Sequence, residues 1–313
     1  MLSSVMKSDI CIARVPVVNS KNFTFAGHYQ LISMKLIPVI ADNWRMDGGV
    51  AFGVVPKIIW SRTYKPDENN MIPITTRCLL VISENHKILI DAGLGNKRNE
   101  KYYEVRYREN GADVLKSLSD NGVSADEITD VIFTHLHDDH VGGATSLDTD
   151  KKPICVFRNA RYNITETQWQ WALNPNKREG AAFFRDNLLP LQESGRLNLL
   201  KPGEQPFENI ELRVFNGHTR GQIIPLIHTG KQTVVFMGDF IPTMANIPLP
   251  YIPSVDIEPL ISLAEKEQFL DEAAGMHYVL FFEHDAVNEC CTVIKTEKGV
   301  VPKLSFKLQD IDF

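Results

Sequence analysis

The sequence predicts a layered α/β fold, and two observations carry this prediction. Short apolar runs that suit buried strands recur along the chain, and segments with a helix-like spacing of apolar residues lie between some of them. Strands mixed with helices in this way favour sheets covered by helices over an all-β sandwich. The predicted strands are residues 29–40, 75–83, 86–91, 130–135, 154–157, 210–215, 223–228, 233–239 and 278–284.

Helical patterns fall at residues 99–122 and 257–275. Residues 162–193 are rich in large apolar side chains, and they predict a pair of helices, broken at Asn174 and Pro175, that is inserted into the frame. Residues 240–259 hold five prolines, which suits a rigid extended loop. Because no Pro/Gly/Ser-rich linker divides the chain, we expect a single domain over residues 1–313.

Composition disfavours several classes of protein. The 313 residues are 43% hydrophobic and 23% charged with a net charge of -6, so no basic surface favours nucleic acid or anionic lipid. The N-terminus lacks a signal-peptide core, and no run approaches the roughly 20 apolar residues that span a bilayer. We therefore expect a soluble, cytoplasmic protein. The five cysteines show no CxxC spacing and predict free thiols.

Three histidines and two aspartates occupy residues 135–140, directly after an apolar run. The end of a buried strand is where α/β sheets present ligand-binding groups. His135 and His137 can face one point, whereas Asp139 and His140 would face a neighbouring point. Imidazole and carboxylate ligands suit zinc, and two ions about 3.5 to 4 Å apart can share a nucleophilic hydroxide. The cluster therefore predicts a two-metal site.

The remaining ligands are expected at the ends of other strands. His218, Asp239 and His284 each follow an apolar run, which is the pattern of side chains gathered at one edge of a sheet. Gly142 and Gly143 would let the backbone pass close to the cluster. Asp138, between two ligand positions, is expected to be a solvated spacer.

With these residues in this order, residues 91–284 resemble the metallo-β-lactamase superfamily of hydrolases. The resemblance implies a four-layer αβ/βα sandwich and two divalent ions, with zinc as the expected metal. It implies that His135, His137 and His218 bind one ion, that Asp139, His140 and His284 bind the other, and that Asp239 and a hydroxide bridge them. Asp91 matches an early structural aspartate that holds the metal-binding loop. Asp139 and Asp239 are the expected catalytic carboxylates, with Asp239 also carrying a proton to the leaving group.

The ligand set resembles that of a hydrolytic branch containing acyl-homoserine lactonases, methyl-parathion-type phosphotriesterases, glyoxalase II thioesterases and RNA-processing nucleases. The acidic chain shows no basic RNA-gripping arm, and only a short segment follows His284, so we disfavour the last two. The expected substrate is a small, largely apolar, ester-like molecule, such as an N-acyl-homoserine lactone, which implies quorum quenching. An organophosphate triester or aryl ester hydrolase stays open, as does a non-catalytic metal-binding sensor.

Residues 44–60 precede the metal motif and resemble a segment that supplies apolar residues to the pocket in lactonases and phosphotriesterases. The candidates are Trp44, Met46, Phe52 and Val54, although each could equally be a core residue beside a glycine-containing turn.

Two departures from the family pattern concern the pocket. Many acyl-homoserine lactonases place a tyrosine three residues after the bridging aspartate, where this chain has Pro242; Tyr251 or Tyr162 could replace its hydroxyl. Gln222 stands where histidine or serine is common, and we do not expect it to bind metal.

Four aromatic residues lie in the predicted helix pair, and we expect core or dimer contacts from them. They are Trp169, Trp171, Phe183 and Phe184. A homodimer is an expectation from the resemblance.

Overall fold

The computed structural model describes residues 34–311 of the chain. Within this range the strands are β1 Lys35–Asp47, β2 Met71–Ile82, β3 Lys87–Ile90, β4 Asp130–Ile132, β5 Thr145–Leu147, β6 Pro153–Cys155, β7 Arg161–Thr165, β8 Leu197–Leu200, β9 Ile210–Phe215, β10 Gln222–His228, β11 Thr233–Phe236, β12 Val279–Phe281, β13 Cys290–Thr296 and β14 Gly299–Phe306. The α-helices are α1 Gly48–Phe52, α2 Lys57–Trp60, α3 Glu100–Glu104, α4 Val114–Asp120, α5 Asp138–Val141, α6 Glu166–Leu173, α7 Arg185–Glu193 and α8 Pro259–Met276.

The first sheet has six strands in the order β1-β2-β3-β4-β7-β8. Strands β1 to β3 pair antiparallel, whereas β3, β4, β7 and β8 are parallel. The carboxyl ends of these four strands therefore lie at one edge, and the histidine-rich residues 135–140 follow β4 there.

The second sheet has the order β14-β13-β12-β11-β10-β9 and presents alternate residues to two different cores. One face joins the first sheet through Ile223, Ile227, Val234, Phe236, Val279 and Phe281. The other face packs against helix α8 through Ile224, Leu226, Val235, Leu280, Phe269, Leu270 and Ala273. Helices α4, α6 and α7 contribute Val114, Leu118, Trp169, Ala172, Leu188 and Leu191 to the core of the first sheet. The result is the expected α/β sandwich of two sheets between helical layers.

The predicted strands are present wherever the structure describes them, with boundaries that move by several residues, while residues 29–33 lie outside the described range. The helical pattern at 99–122 divides into α3 and α4, because Gly111 adopts a left-handed φ of 106° between them. The helix predicted at 257–275 is α8.

The prediction of a helix pair at residues 162–193 is wrong for its first residues. Residues 161–165 form β7, which lies between β4 and β8 in the first sheet, so this part belongs to the frame and not to an insertion. The side chain of Asn163 is buried there and donates to the carbonyls of Val131 and Arg161. Helices α6 and α7 follow, separated by residues 174–184.

Residues 240–258 form the expected loop, with one 3₁₀ turn at Met244–Asn246. Lys266 of α8 is buried beneath this loop. Its ammonium group donates to the carbonyls of Asn246, Pro248 and Tyr251, at 2.8, 3.0 and 3.2 Å. Helix α8 therefore fixes the loop through one side chain.

Among the described helices, none combines the length and the apolar character that a membrane crossing requires.

Candidate metal centre

The seven predicted ligands converge at one edge of the two sheets. His135 and His137 follow β4, and His140 lies on the single turn of α5 that starts after them. His218 lies between β9 and β10, Asp239 follows β11, and His284 follows β12. Their nitrogen and oxygen atoms form two buried groups.

The first group contains His135, His137, His218 and Asp239. Nδ1 of His137 lies 2.9 Å from Nε2 of His135 and 3.2 Å from Nε2 of His218. Oδ2 of Asp239 lies 3.2 Å from Nε2 of His218. Four potential ligand atoms thus surround one point.

The second group contains Asp139, His140 and His284. Nε2 of His284 lies 3.3 Å from Nε2 of His140 and 3.8 Å from Oδ2 of Asp139. The other carboxylate oxygen of Asp239, Oδ1, lies 2.8 Å from Nε2 of His284. Asp239 therefore offers one oxygen to each group, as a bridging ligand would.

Hydrogen bonds outside the cluster fix which nitrogen of each histidine carries the proton. In the first group, Nδ1 of His218 donates to Asp256 at 2.9 Å, and Nε2 of His137 donates to Glu179 at 2.9 Å. The hydroxyl of Thr134 donates to Asp91, so it can only accept from Nδ1 of His135, 3.0 Å away. Each nitrogen that faces the centre of the group is left with a lone pair.

The same holds for the second group. Nδ1 of His140 faces Asp91 at 3.0 Å and Glu283 at 3.2 Å, and Nδ1 of His284 donates to the carbonyl of Thr75 at 2.8 Å. In the neutral form of each histidine, Nε2 therefore carries the lone pair and faces the other histidine and carboxylate oxygens. A divalent cation among these atoms would have nitrogen and carboxylate ligands. The donor set fits two divalent ions of the zinc type.

The pKa shifts show which of the predicted ligands are ready to bind a metal and which must first lose a proton. Burial alone would raise the pKa of Asp239, but His284, His140 and His218 hold it well below its usual range, so the carboxylate is ionised. Burial and the neighbouring His140 keep the pKa of His135 well below its usual range, which leaves this imidazole neutral. Burial alone would lower the pKa of His284, yet Asp239 raises it to about 9, so a proton competes with metal at this nitrogen.

Asp91 is buried and contacts both Thr134 and His140. Its carboxylate accepts from the backbone and the hydroxyl of Thr134 at 2.7 and 2.6 Å, and it faces Nδ1 of His140. Glu283, which the sequence did not single out, is fully buried on the other side of that nitrogen. Burial raises the pKa of Glu283 to about 8. The tight packing predicted at Gly142 and Gly143 is present, since a Cβ atom at either position would overlap a backbone carbonyl.

Asp138 is not the solvated spacer that the sequence predicted. Its side chain is buried, accepts a hydrogen bond from the hydroxyl of Tyr102, and faces Nη2 of Arg106 at 3.3 Å. Burial and the adjacent Asp139 raise the pKa of Asp138. The correction arises because residues 102–106 fold back over α5, which local spacing does not reveal.

Two carboxylates that the sequence analysis missed hold the histidines of the first group. Asp256, in the proline-rich loop, accepts from His218 and from the hydroxyl of Ser262 at 2.5 Å. Glu179, between α6 and α7, accepts from His137, and from Nε1 of Trp171 at 2.7 Å. Burial alone would raise the pKa of Glu179, but the hydrogen bonds from His137, Thr219 and Trp171 and the charge of His137 together outweigh it, and the pKa lies below its ordinary value. No sequence spacing relates either carboxylate to its histidine.

A cavity of about 520 Å³ opens onto both groups. It is lined by Trp44, Met46, Arg106, His137, Asp138, Asp139, Arg178, Glu179, Ala181, Ala182, His218, Asp239, Ser254 and Val255. Its size suits a small organic molecule. Two of the predicted pocket residues, Trp44 and Met46, therefore lie in the cavity wall.

The other predicted pocket residues lie elsewhere. Phe52 is fully buried and packs against Trp60, Tyr64 and Tyr251, and Val54 is 89% exposed on the protein surface. Neither Phe52, Val54 nor Tyr251 lines the cavity. Residues 48–52 form helix α1 where a turn was expected, and Phe52 is buried at its end. Tyr251 packs against Phe52 in this cluster, with its ring edge toward the Phe52 ring.

Tyr162 also fails to replace the missing tyrosine hydroxyl, since it is buried in β7 and donates to the carbonyl of Phe157 at 2.9 Å. Gln222 is buried, and its side-chain oxygen accepts from the backbone N–H groups of Asp239 and Phe240 at 3.1 and 3.3 Å.

The four aromatic residues of the former helix pair pack inside the protein. Trp169 and Phe183 belong to the core, with the Phe183 ring centroid 4.9 Å from that of His137. Trp171 packs against the same core, and the ring of Phe184 lies beneath the guanidinium of Arg98.

Known proteins share this architecture. The family model for the metallo-beta-lactamase superfamily matches residues 72–282. A probable metal-dependent hydrolase from Staphylococcus aureus is 27% identical, with a TM-score of 0.80 over 89% of this chain and 98% of that one. AidC, a dizinc quorum-quenching lactonase in complex with a product, is 21% identical, with a TM-score of 0.72 over 88% of this chain and 95% of its own. The hydrolase AbOPH is 18% identical, with a TM-score of 0.73 over 88% and 95%. Among curated protein sequences, none matches this chain.

Proposed function

The chain belongs to the metallo-β-lactamase superfamily of metal-dependent hydrolases, and from this premise we propose that it is a dinuclear-metal lactonase. The proposed substrate is a small lactone that carries an acyl chain, of the N-acyl-homoserine lactone type. The proposed ligands are His135, His137 and His218 for one ion and Asp139, His140 and His284 for the other, with Asp239 between them.

The observation that carries this proposal is the position of the cavity. On one side, a neutral molecule in this cavity would contact the proposed metal ligands Asp139, His137, His218 and Asp239. The other walls contain both apolar and polar side chains, among them Trp44, Met46, Ala181, Ala182 and Val255 as apolar members. A compact ester group with an apolar chain matches this division.

Two bound divalent ions would supply a hydroxide that is nucleophilic at neutral pH and would polarise the scissile carbonyl. Residues of the chain would orient the metal ligands and carry the proton. Asp256, Glu179 and Asp91 keep the histidines in the tautomers that ligation requires. Asp139 and Asp239 line the cavity beside the proposed metal ligands, where one of them would carry the proton that the alkoxide needs.

The decisive experiment assays zinc-loaded protein against acyl-homoserine lactones, alkyl lactones, aryl esters, phosphotriesters, β-lactams and thioesters. We expect acyl-homoserine lactones to give the highest kcat/KM, and His218→Ala to abolish it while the protein stays folded by circular dichroism. Preference for phosphotriesters or aryl esters would assign the site to the alternative hydrolase class. Two bound ions without turnover of any substrate would indicate a sensor instead.

A further inference from the structure

We propose that Arg106 is a substrate-binding residue that donates a hydrogen bond to a second oxygen of the substrate, outside the scissile ester. This inference rests on the proposed function. For a lactone with an acylamino group, the second oxygen is the amide carbonyl.

Arg106 is the best-anchored donor in the cavity wall that is not a metal-ligand candidate. Its guanidinium carbon lies 3.8 Å from the centroid of the Tyr102 ring, Nη1 donates to the carbonyl of Tyr102 at 3.2 Å, and Nη2 donates to Asp138 at 3.3 Å. Asp138 is itself held by the hydroxyl of Tyr102. A side chain fixed from three directions loses little freedom when a ligand binds.

The guanidinium keeps donors to spare. It carries five N–H groups, and the contacts within the described residues use one on each Nη atom. The side chain is 28% exposed, and it borders the same cavity as Asp139. Its remaining donors are therefore accessible to a molecule that already contacts the proposed metal ligands.

The charge balance favours a neutral acceptor on the substrate. Asp138 pairs with Arg106 inside the cavity wall, so the pair adds no net positive charge. Nε1 of Trp44 already donates its one proton to Thr76 at 3.1 Å. Arg178 is exposed and is held by a single hydrogen bond, to the carbonyl of Ser254, so its guanidinium is less firmly positioned than that of Arg106. Arg106 is thus placed to recognise a carbonyl oxygen on a neutral substrate.

Two substrates that differ in this oxygen test the inference. N-hexanoyl-homoserine lactone has the amide carbonyl, and γ-decalactone has an apolar chain without it. For Arg106→Met we expect kcat/KM to fall about 10- to 100-fold with the first substrate, mainly through KM, because a hydrogen bond to a charged donor is lost. The value for γ-decalactone should change little, and Arg106→Lys should recover part of the loss.

Product binding gives a second readout. Calorimetry on the zinc-loaded protein should show weaker binding of N-hexanoyl-homoserine to Arg106→Met, with no change for γ-hydroxydecanoate. Arg45→Met is the matched control, because Arg45 pairs with Asp67 and does not line the cavity.

Equal losses with both lactones, or no loss with either, would overturn the role of Arg106 and leave the proposed lactonase intact. If the wild-type protein hydrolyses neither lactone, the proposed function fails, and this inference fails with it. Metal content and melting temperature should be measured for every variant. Unchanged values show that a loss of activity comes from the missing hydrogen bond of Arg106 and not from a disturbed cavity wall.

Discussion

Replacing Asp256 by asparagine tests whether the carboxylate behind His218 sets metal affinity. The aspartate is buried and accepts the Nδ1 proton of His218 at 2.9 Å. Asparagine has nearly the same shape and can still accept this proton, but without the negative charge. A hydrogen bond to a charged group contributes about 1.5 to 3 kcal/mol and a neutral one about 0.5 to 1.5 kcal/mol. The difference of about 1 to 1.5 kcal/mol corresponds to zinc binding that is about 5- to 13-fold weaker.

Alanine at the same position removes the hydrogen bond altogether, and its effect should be larger, within the range of about 10- to 100-fold typical for lost partners of metal-binding histidines. The assay is competition for zinc between the metal-free protein and a chromophoric chelator of known affinity. Asp271→Asn is the matched control, since Asp271 lies on α8 at the exposed surface, where it pairs with Lys295 and contacts none of the proposed metal ligands. Equal zinc affinities for Asp256→Asn, Asp256→Ala and the control would refute the reasoning.

Three further outcomes are expected. Asp239→Ala should lower the metal content below two ions per chain by elemental analysis and abolish turnover, because Asp239 offers an oxygen to each ligand group; two retained ions would show that it does not bridge. Met46→Ala should raise KM for long-chain lactones about fivefold and leave short-chain lactones unchanged, because about 1 kcal/mol of apolar contact is lost in the cavity wall; equal effects on both chain lengths would place the acyl chain elsewhere. Burial lowers the pKa of Lys266 to about 7, so above this pH the unfolded chain, with a lysine pKa near 10.4, binds a proton that the folded chain lacks. The free energy of unfolding should therefore rise between pH 7 and pH 10 relative to Lys266→Met, by at most about 1.4 kcal/mol per pH unit in urea titrations, and parallel pH profiles would contradict this.

The convergence of the predicted ligands was predictable because the position of each is a local feature of the chain. His135, Asp239 and His284 lie within three residues of the end of a strand whose apolar pattern is visible in the sequence. Strand ends that share a sheet edge are brought together by the fold itself. The sandwich was predictable for a similar reason, since alternating or continuous apolar runs mark the strands of both sheets.

The surroundings of the ligands were not predictable, because they depend on contacts between distant segments. Glu179 and Asp256 reach their histidines from loops 42 and 38 positions away along the chain. The prediction that Asp138 is solvated was wrong because Tyr102 and Arg106, from a distant segment, contact its side chain. Phe52 has the apolar character of a pocket residue, and only the course of α1 shows that it belongs to the core.

These distant contacts also couple the cavity wall to the metal centre. Residues 178–182 border the cavity, and in the same segment Glu179 fixes the tautomer of His137. Ser254 and Val255 border it from the other side, directly before Asp256, which fixes His218. A substitution that moves either segment to admit a different substrate would also move a carboxylate that orients a metal ligand. Specificity changes in these two segments should therefore alter zinc affinity, whereas changes at Met46, which has no such link among the described contacts, should not.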